Sequence, residues 1–204
     1  MNRKTIAAIG SLALWPLANC AGASESIVNV AMLTSEGEIV IDLYLDKAPL
    51  TVGNFLQLVD GEHLDGGSFY RVVTYENDNG QPKIEVIQGG LGDERESPFP
   101  PIAHETTEQT GIAHTDGVIS MARGDVGTAS SEFFICIGDQ PGLDHGNVRN
   151  PDEQGFAAFG KVVSGMDVVR RINASAADGA TDSDYTKGQI LTEPVVIISV
   201  RRTN

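Results

Sequence analysis

Residues Ile119 to Gly138 read ISMARGDVGTASSEFFICIG, and the reading of this stretch decides the fold. It divides into two short apolar strands joined by a polar loop that carries Gly124 and Gly127. Successive strand side chains point to opposite faces. In the second strand Phe133, Ile135 and Ile137 therefore fall on one side, and Glu132, Phe134 and Cys136 on the other. Both faces are largely apolar, which a strand with one face in water does not need. One face is expected to fill a core, which leaves the other free to line a pocket.

Upstream, Ile27–Thr34 (IVNVAMLT) and Glu38–Leu45 (EIVIDLYL) read as a hairpin around Ser35-Glu36-Gly37. In the second run Ile39, Ile41, Leu43 and Leu45 alternate with Glu38, Asp42 and Tyr44, the pattern of a half-buried antiparallel strand. The period then lengthens. Val52, Phe55, Leu56 and Val59 follow at helical spacing, with Pro49 in the first turn and Asp60-Gly61 at the end. Ser68–Val73 (SFYRVV), Ile84–Ile87, Phe156–Val163 and Pro194–Val200 read as further strands. Tyr75–Lys83 is a polar excursion, and Leu91–Asp116 an irregular connection with little periodicity. Ser164–Ile172 is a second helix with Ser164 as N-cap and Met166, Val169 and Ile172 as its buried side. Seven or eight short strands interrupted by only two helices favour a mainly β, antiparallel, closed sheet over a βαβ design, with the helices capping the open ends.

The 204 residues allow one domain with a proper core. A formal net charge of −14 repels phosphate backbones and anionic headgroups, so no nucleic acid and no direct membrane contact are expected. The first 23 residues are set apart as a signal peptide, leaving residues 24–204 as the folded domain. Arg3 and Lys4 form a basic start, Ile6–Ala18 an apolar run, and Ala21-Gly22-Ala23 a small-residue cleavage site. An apolar run of 13 residues is short of the roughly 20 that span a bilayer, so export, to a periplasm, is the reading. Asn19-Cys20 only distantly resembles a lipid-attachment site, through which an anchored form remains the alternative. With Cys20 removed, Cys136 is the lone cysteine and a packing residue.

Searches for nucleophile elbows, Walker loops and paired metal-ligand motifs find none. His63, His104, His114 and His145 are scattered in loop-like segments and read as surface histidines. Asp178, Asp182 and Asp184 form a solvated acidic turn without the ordered spacing of a calcium loop. No metal and no cofactor are expected. What stands out is Arg71, a charge inside the apolar run SFYRVV.

SFYRVV, then IQGG, then ISMARGDVGTASSEFFICIG, then Leu143-Asp144, then FAAFGKVVSGMDVV together resemble the cyclophilin-type peptidyl-prolyl cis-trans isomerases of exported bacterial type. The likeness runs from about Ile27 to Val200 and implies an eight-stranded antiparallel barrel capped by two α-helices. It implies that Arg71 is the catalytic arginine and that Gln88 orients it. It further implies substrate-binding positions at Phe134, Leu143 and Val86 in the proline pocket, at Ala122 and Arg123 whose backbone pairs with the peptide, and at Glu132 and Phe156. Glu132 stands where the family has Gln and Phe156 where it has His. Glu85 stands in place of a pocket Phe, which thins the apolar wall unless the Tyr75–Lys83 insertion returns a side chain such as Ile84. Gly142 stands in place of a Trp, whose loss implies weak binding of cyclosporin-like macrocycles. The partners implied are proline-containing polypeptides, the protein acting as a monomer during folding of exported proteins. The alternative is a catalytically weak peptide-binding or chaperone module on the same barrel.

Overall fold

The computed structural model describes residues 26–92 and 95–203, so the signal-peptide reading and Cys20 lie outside the described residues. The two alternating runs near the start pair as β1 (Ile27–Thr34) and β2 (Gly37–Tyr44), antiparallel, with Ile27 opposite Tyr44 and Thr34 opposite Gly37. Their inward residues Val30, Met32, Ile39, Ile41 and Leu43 have no exposed surface. The helical-period segment forms α1 (Pro49–Asp60), which turns Val52, Phe55, Leu56 and Val59 inward.

The chain continues through β3 (Ser68–Val73), β4 (Val86–Gly90), α2 (Thr107–Thr110), β5 (Val118–Met121), β6 (Phe133–Cys136), β7 (Ala157–Ser164), α3 (Met166–Asn173) and β8 (Ile190–Arg202). The strands close into a barrel in the order β1-β2-β7-β5-β6-β4-β3-β8, every neighbouring pair antiparallel. Closure removes the sheet edges that would otherwise invite pairing with other chains. The barrel is plugged by aromatic rings. Phe55 of α1 meets Phe133 edge-on at 5.6 Å and Phe159 at 5.2 Å, and Phe69 meets Phe133 edge-on at 5.8 Å. Each such fully buried ring contributes about 1.5–3 kcal/mol from area alone.

Strand β6 has two apolar faces, and they belong to two separate clusters. Phe133 and Ile135, with Ile137 just beyond the strand, join the barrel core. Phe134 and Cys136 join a second cluster with Val73, Ile84, Val86 and Leu143. Burial pushes the Cys136 thiol well up, with the negative charges of Asp144 and Asp116 adding to it, so the sulfur packs as a neutral, apolar group.

The structure corrects several boundaries. Ser164 ends β7 and caps nothing; the N-cap of α3 is Gly165, at φ 92°. A side chain at Gly165 would run into the Glu38 carbonyl, so the chain can turn this close to β2 only without one. The irregular connection contains the third helix, α2, closed by a capping box between Thr106 and Gln109, a local signal too short to produce periodicity. Ile84 precedes the ladder instead of starting it, because its N–H donates to Asp78 (2.8 Å). The last strand is longer than Pro194–Val200. Its register against β3 jumps from Phe69↔Val195 to Arg71↔Ile190, so Pro194 sits in a bulge where its missing N–H is not needed.

Candidate active site

On the outer face of β3, β4 and β6 lies a cleft of about 370 Å³. Its apolar floor and wall are Phe134, Leu143, Val86, Val73 and Ile84, each less than a tenth exposed. The Phe134 ring is fixed from two sides. Phe156 meets it edge-on at 5.2 Å, and the His114 ring is stacked parallel to it at 5.9 Å. Asn173 of α3 donates to the Val73 and Val86 carbonyls, tying β3 and β4 together beside this cluster.

Arg71 enters the cleft from β3 with its guanidinium held at both ends. Nη1 donates to Gln88 Oε1 (2.9 Å), while Nε and Nη2 both donate to Gln189 Oε1 (2.9 and 2.6 Å). Three of the five N–H donors of an arginine are thereby spent, leaving one on each terminal nitrogen. The two amides are themselves oriented. Gln88 Nε2 donates to the Tyr70 hydroxyl (2.9 Å), which donates to Glu132 (2.7 Å), and Gln189 Nε2 donates to the Asn77 carbonyl (2.8 Å). The β3–β4 register that places Arg71 opposite Gln88 depends on Gly89, whose absent Cβ would lie 2.6 Å from the Ser68 carbonyl. That is the physical content of the IQGG run.

Two other arginines line the cleft, and both are neutralised. Arg149 and Asp78 form a buried, two-pronged pair (2.7 and 2.9 Å). Burial alone would raise the Asp78 carboxyl, but Arg149 and the N–H groups of Gly80 and Ile84 outweigh it and hold it low. Arg123 pairs with both Asp152 oxygens (2.8 and 2.9 Å). Its hydrogen bond holds the Asp152 carboxyl at about 2. Arg71 is different: among the described residues its hydrogen-bond partners are neutral amides and the ring against it is that of Tyr185, so its charge is left for whatever occupies the cleft.

Of the residues singled out from sequence, Arg71, Gln88, Phe134, Leu143, Val86, Ala122, Arg123 and Phe156 all line this one cleft. Glu132 does not. It precedes the β6 ladder and turns its carboxylate to the Leu91 and Gly92 N–H groups (2.9 and 3.1 Å). It reaches the site only through Tyr70 and Gln88. The Arg123 side chain is fully committed too, to Asp152 and the Gly124 and Gly155 carbonyls, so any contact it makes with a peptide runs through its backbone.

Sequence reasoning missed Gln189, Arg149, Asn150 and Tyr185. Asn150 lines the cleft with a buried amide nitrogen that has no hydrogen-bond partner among the described residues, a deficit that costs about 1–3 kcal/mol when nothing fills it. It also read His114 as a surface residue. His114 is 1% exposed, with Nδ1 at 2.7 Å from Asp144 and Nε2 at 2.9 Å from Ser120. The order Asp–His–Ser is that of a nucleophilic relay. Ser120, however, has no exposed surface, so no carbonyl reaches its hydroxyl; the trio braces the ring beneath Phe134. Among the described residues no group of three or more His, Cys, Asp or Glu is placed to hold a metal, and no helix is long and apolar enough to cross a membrane.

The cyclophilin type peptidyl-prolyl cis-trans isomerase/CLD family model matches residues 29–202. Peptidyl-prolyl cis-trans isomerase A of Dickeya dadantii is 30% identical over 204 residues, 98% of each chain. Peptidyl-prolyl cis-trans isomerase cyp18 of Streptomyces antibioticus is 34% identical over 176 residues, covering 84% of this chain and 96% of its own. In fold, a cyclophilin type isomerase of Cryptosporidium parvum superposes with a TM-score of 0.66 at 18% identity, over 88% of this chain and 99% of its own. A second structure of that protein, in the presence of the dipeptide Ala-Pro, gives 0.65. With one family model running the length of the barrel and relatives matched over nearly all of their own chains, the protein belongs to the cyclophilin-type peptidyl-prolyl cis-trans isomerases.

Proposed function

We propose that the cleft binds the proline of an X–Pro bond on the Phe134–Leu143–Val86 surface and that Arg71 drives the rotation. Amide resonance sets a barrier of about 18–20 kcal/mol, so uncatalysed exchange takes roughly tens to hundreds of seconds. In the twisted state the prolyl nitrogen becomes pyramidal and its lone pair localises. A donor aimed at that lone pair stabilises the transition state and barely touches the planar ground state, which is the condition for catalysis. Arg71 stays protonated, and its fork is held by Gln88 and Gln189 with an N–H free on each terminal nitrogen.

One charge-assisted hydrogen bond is worth about 1.5–3 kcal/mol net. A useful isomerase needs about 6 kcal/mol, a little over four powers of ten. The remainder is assigned to the dry apolar floor, which strengthens the arginine's field and grips the ring while the acyl side turns. No bond to the substrate is made, so no nucleophile is required, in keeping with the inaccessible Ser120. The observation that carries this reading is a half-buried arginine with neutral holders above a fixed apolar floor. The Ala-Pro dipeptide present with the Cryptosporidium parvum protein supports the substrate class.

A coupled cis–trans assay on a short Ala-Pro peptide tests it. Loss of one such bond, together with its pre-set geometry, lowers kcat/KM of Arg71→Ala by about 10²- to 10³-fold, roughly 3–4 kcal/mol. Equal rates for the wild type and the variant overturn the enzymatic role and leave a peptide-binding module. The basic, apolar and small-residue order of residues 1–23 supports action on exported polypeptides. The intact mass of the protein recovered from the periplasm tests that: a chain starting at Ser24 agrees, and a lipid-modified Cys20 or an uncleaved leader does not.

A further inference from the structure

The cleft is larger than its proline floor. Its lining also includes a second wall made by Arg149, Asn150, Pro151 and Tyr185. Tyr185 is unusual there, because it is 49% exposed yet held at several points. Its hydroxyl accepts from Arg149 Nη2 (2.9 Å), its ring lies under the Arg71 and Arg149 guanidiniums (5.2 and 5.8 Å), and its carbonyl accepts from Asn79 (3.2 Å). Arg149 is in turn locked by buried Asp78 and by the close approach of Gly80, where a Cβ would lie 2.5 Å from Nη1. A large ring presented to solvent and already immobilised loses little freedom when something stacks on it, which is how tyrosine serves as a binding anchor.

We propose that Tyr185 is a specificity-determining residue of this cleft, selecting polypeptides that carry an aromatic side chain next to the proline. The claim rests on the isomerase reading for its substrate class. The second wall is what favours an aromatic group. The charges of Arg149 and Arg123 are balanced by Asp78 and Asp152, so beside the Arg71 guanidinium the wall adds a ring face, Pro151 and an amide, with no further net charge. An acidic neighbour finds no free cation there beyond Arg71, which the prolyl nitrogen engages, and meets a protein of net charge −14. A flat apolar ring gains a stacking surface. The unpartnered Asn150 amide nitrogen in the same wall supplies a donor for a polar atom of the bound chain.

Two peptide series test the proposal, with Ala, Leu, Glu or Phe placed before the proline in one and after it in the other. For wild type, kcat/KM for Phe over Ala is about three- to tenfold in at least one series, the worth of one aromatic pair. In Tyr185→Ala that ratio falls to about one, and in Tyr185→Phe, which keeps the ring, most of it remains. A merely structural role lowers every peptide alike and leaves the ratio intact, which overturns the proposal. So does a flat wild-type profile in both series, or a preference for Glu. Calorimetric binding of the same peptides separates this from the catalytic reading. If no peptide turns over, the isomerase role falls, and the Phe-to-Ala affinity ratio in wild type and Tyr185→Ala still decides whether Tyr185 reads the neighbour.

Discussion

Replacing Gln189 by leucine shortens the side chain by one atom and removes the acceptor on which Arg71 spends two of its donors, Nε and Nη2. Gln189 is fully buried, and its own amide donates to the Asn77 carbonyl. The substitution therefore orphans one carbonyl and two guanidinium N–H groups, at about 1–3 kcal/mol for the buried part. For a domain of this size that lowers Tm by about 2–4 °C per kcal/mol. The catalytic effect has a different source. With Gln88 as its remaining hydrogen-bond partner among the described residues, the guanidinium turns about a single anchor and loses its aim at the prolyl nitrogen. Misplacement by about 1 Å costs on the order of 10²-fold, so kcat/KM is expected to fall about 10- to 100-fold, carried mainly by kcat.

A double-mutant cycle makes this decisive, because two residues acting through one interaction are not additive. If Gln189 works by positioning Arg71, the double variant Arg71→Ala/Gln189→Leu is no slower than Arg71→Ala alone. The coupled cis–trans assay supplies the rates and thermal melts the stabilities. A fall in Tm with kcat/KM unchanged refutes the reasoning, since Arg71 would then hold its aim without Gln189. Full additivity in the double variant refutes it as well.

Two further outcomes follow from the ion pairs. Asp78→Ala leaves Arg149 buried without its partner and frees the Gly80 and Ile84 N–H groups, which costs about 3–5 kcal/mol and is read as a lower urea midpoint at unchanged m. For Asp152 the sign runs from its lowered carboxyl, about 2 against an ordinary 3.8. A group depressed in the folded state adds stability above its unfolded value and loses it as pH falls. The Tm gap between wild type and Asp152→Asn is therefore constant from about pH 5 to 7 and closes between about pH 4 and 2; a gap that widens on acidification contradicts the pairing.

What the sequence made legible is what short-range pattern controls. A shift of one residue in β6 would move Phe133 and Ile135 from the barrel core into the outer cleft, so their alternation with Phe134 and Cys136 pins the register. Arg71 was visible because a charge inside SFYRVV needs a reason. Gln189 was not: it meets Arg71 across 118 residues, and a register jump in β8 that no local pattern announces puts Ile190 opposite Arg71. His114 looked like a loop histidine because Asp144, which with the nearby Ser120 makes its burial tolerable, comes from 30 residues further along the chain. Glu132 shares a parity with Phe134, but its carboxylate is taken up by the Leu91 and Gly92 N–H groups, 41 and 40 residues away, contacts that no local pattern announces.

Glu85 and Gly142, the two positions where the resemblance implied a Phe and a Trp, both lie against the 75–83 loop and its end. A Cβ on Gly142 would lie 2.5 Å from Pro82 Cγ, so the 75–83 insertion occupies the ground a side chain there would need. The residue that follows the insertion, Ile84, is 7% exposed and stands in the cleft wall. Asp78 secures Ile84 and Arg149 at once, accepting from the Ile84 N–H on one oxygen and from Arg149 on both. Glu85 is half-buried, and burial followed by the charge of Glu76 pushes its carboxyl up. The end of the 75–83 loop thus supplies part of the apolar wall and is braced by a buried ion pair. The same pair fixes Tyr185, so the ion pair that braces the apolar wall also builds the surface beside it.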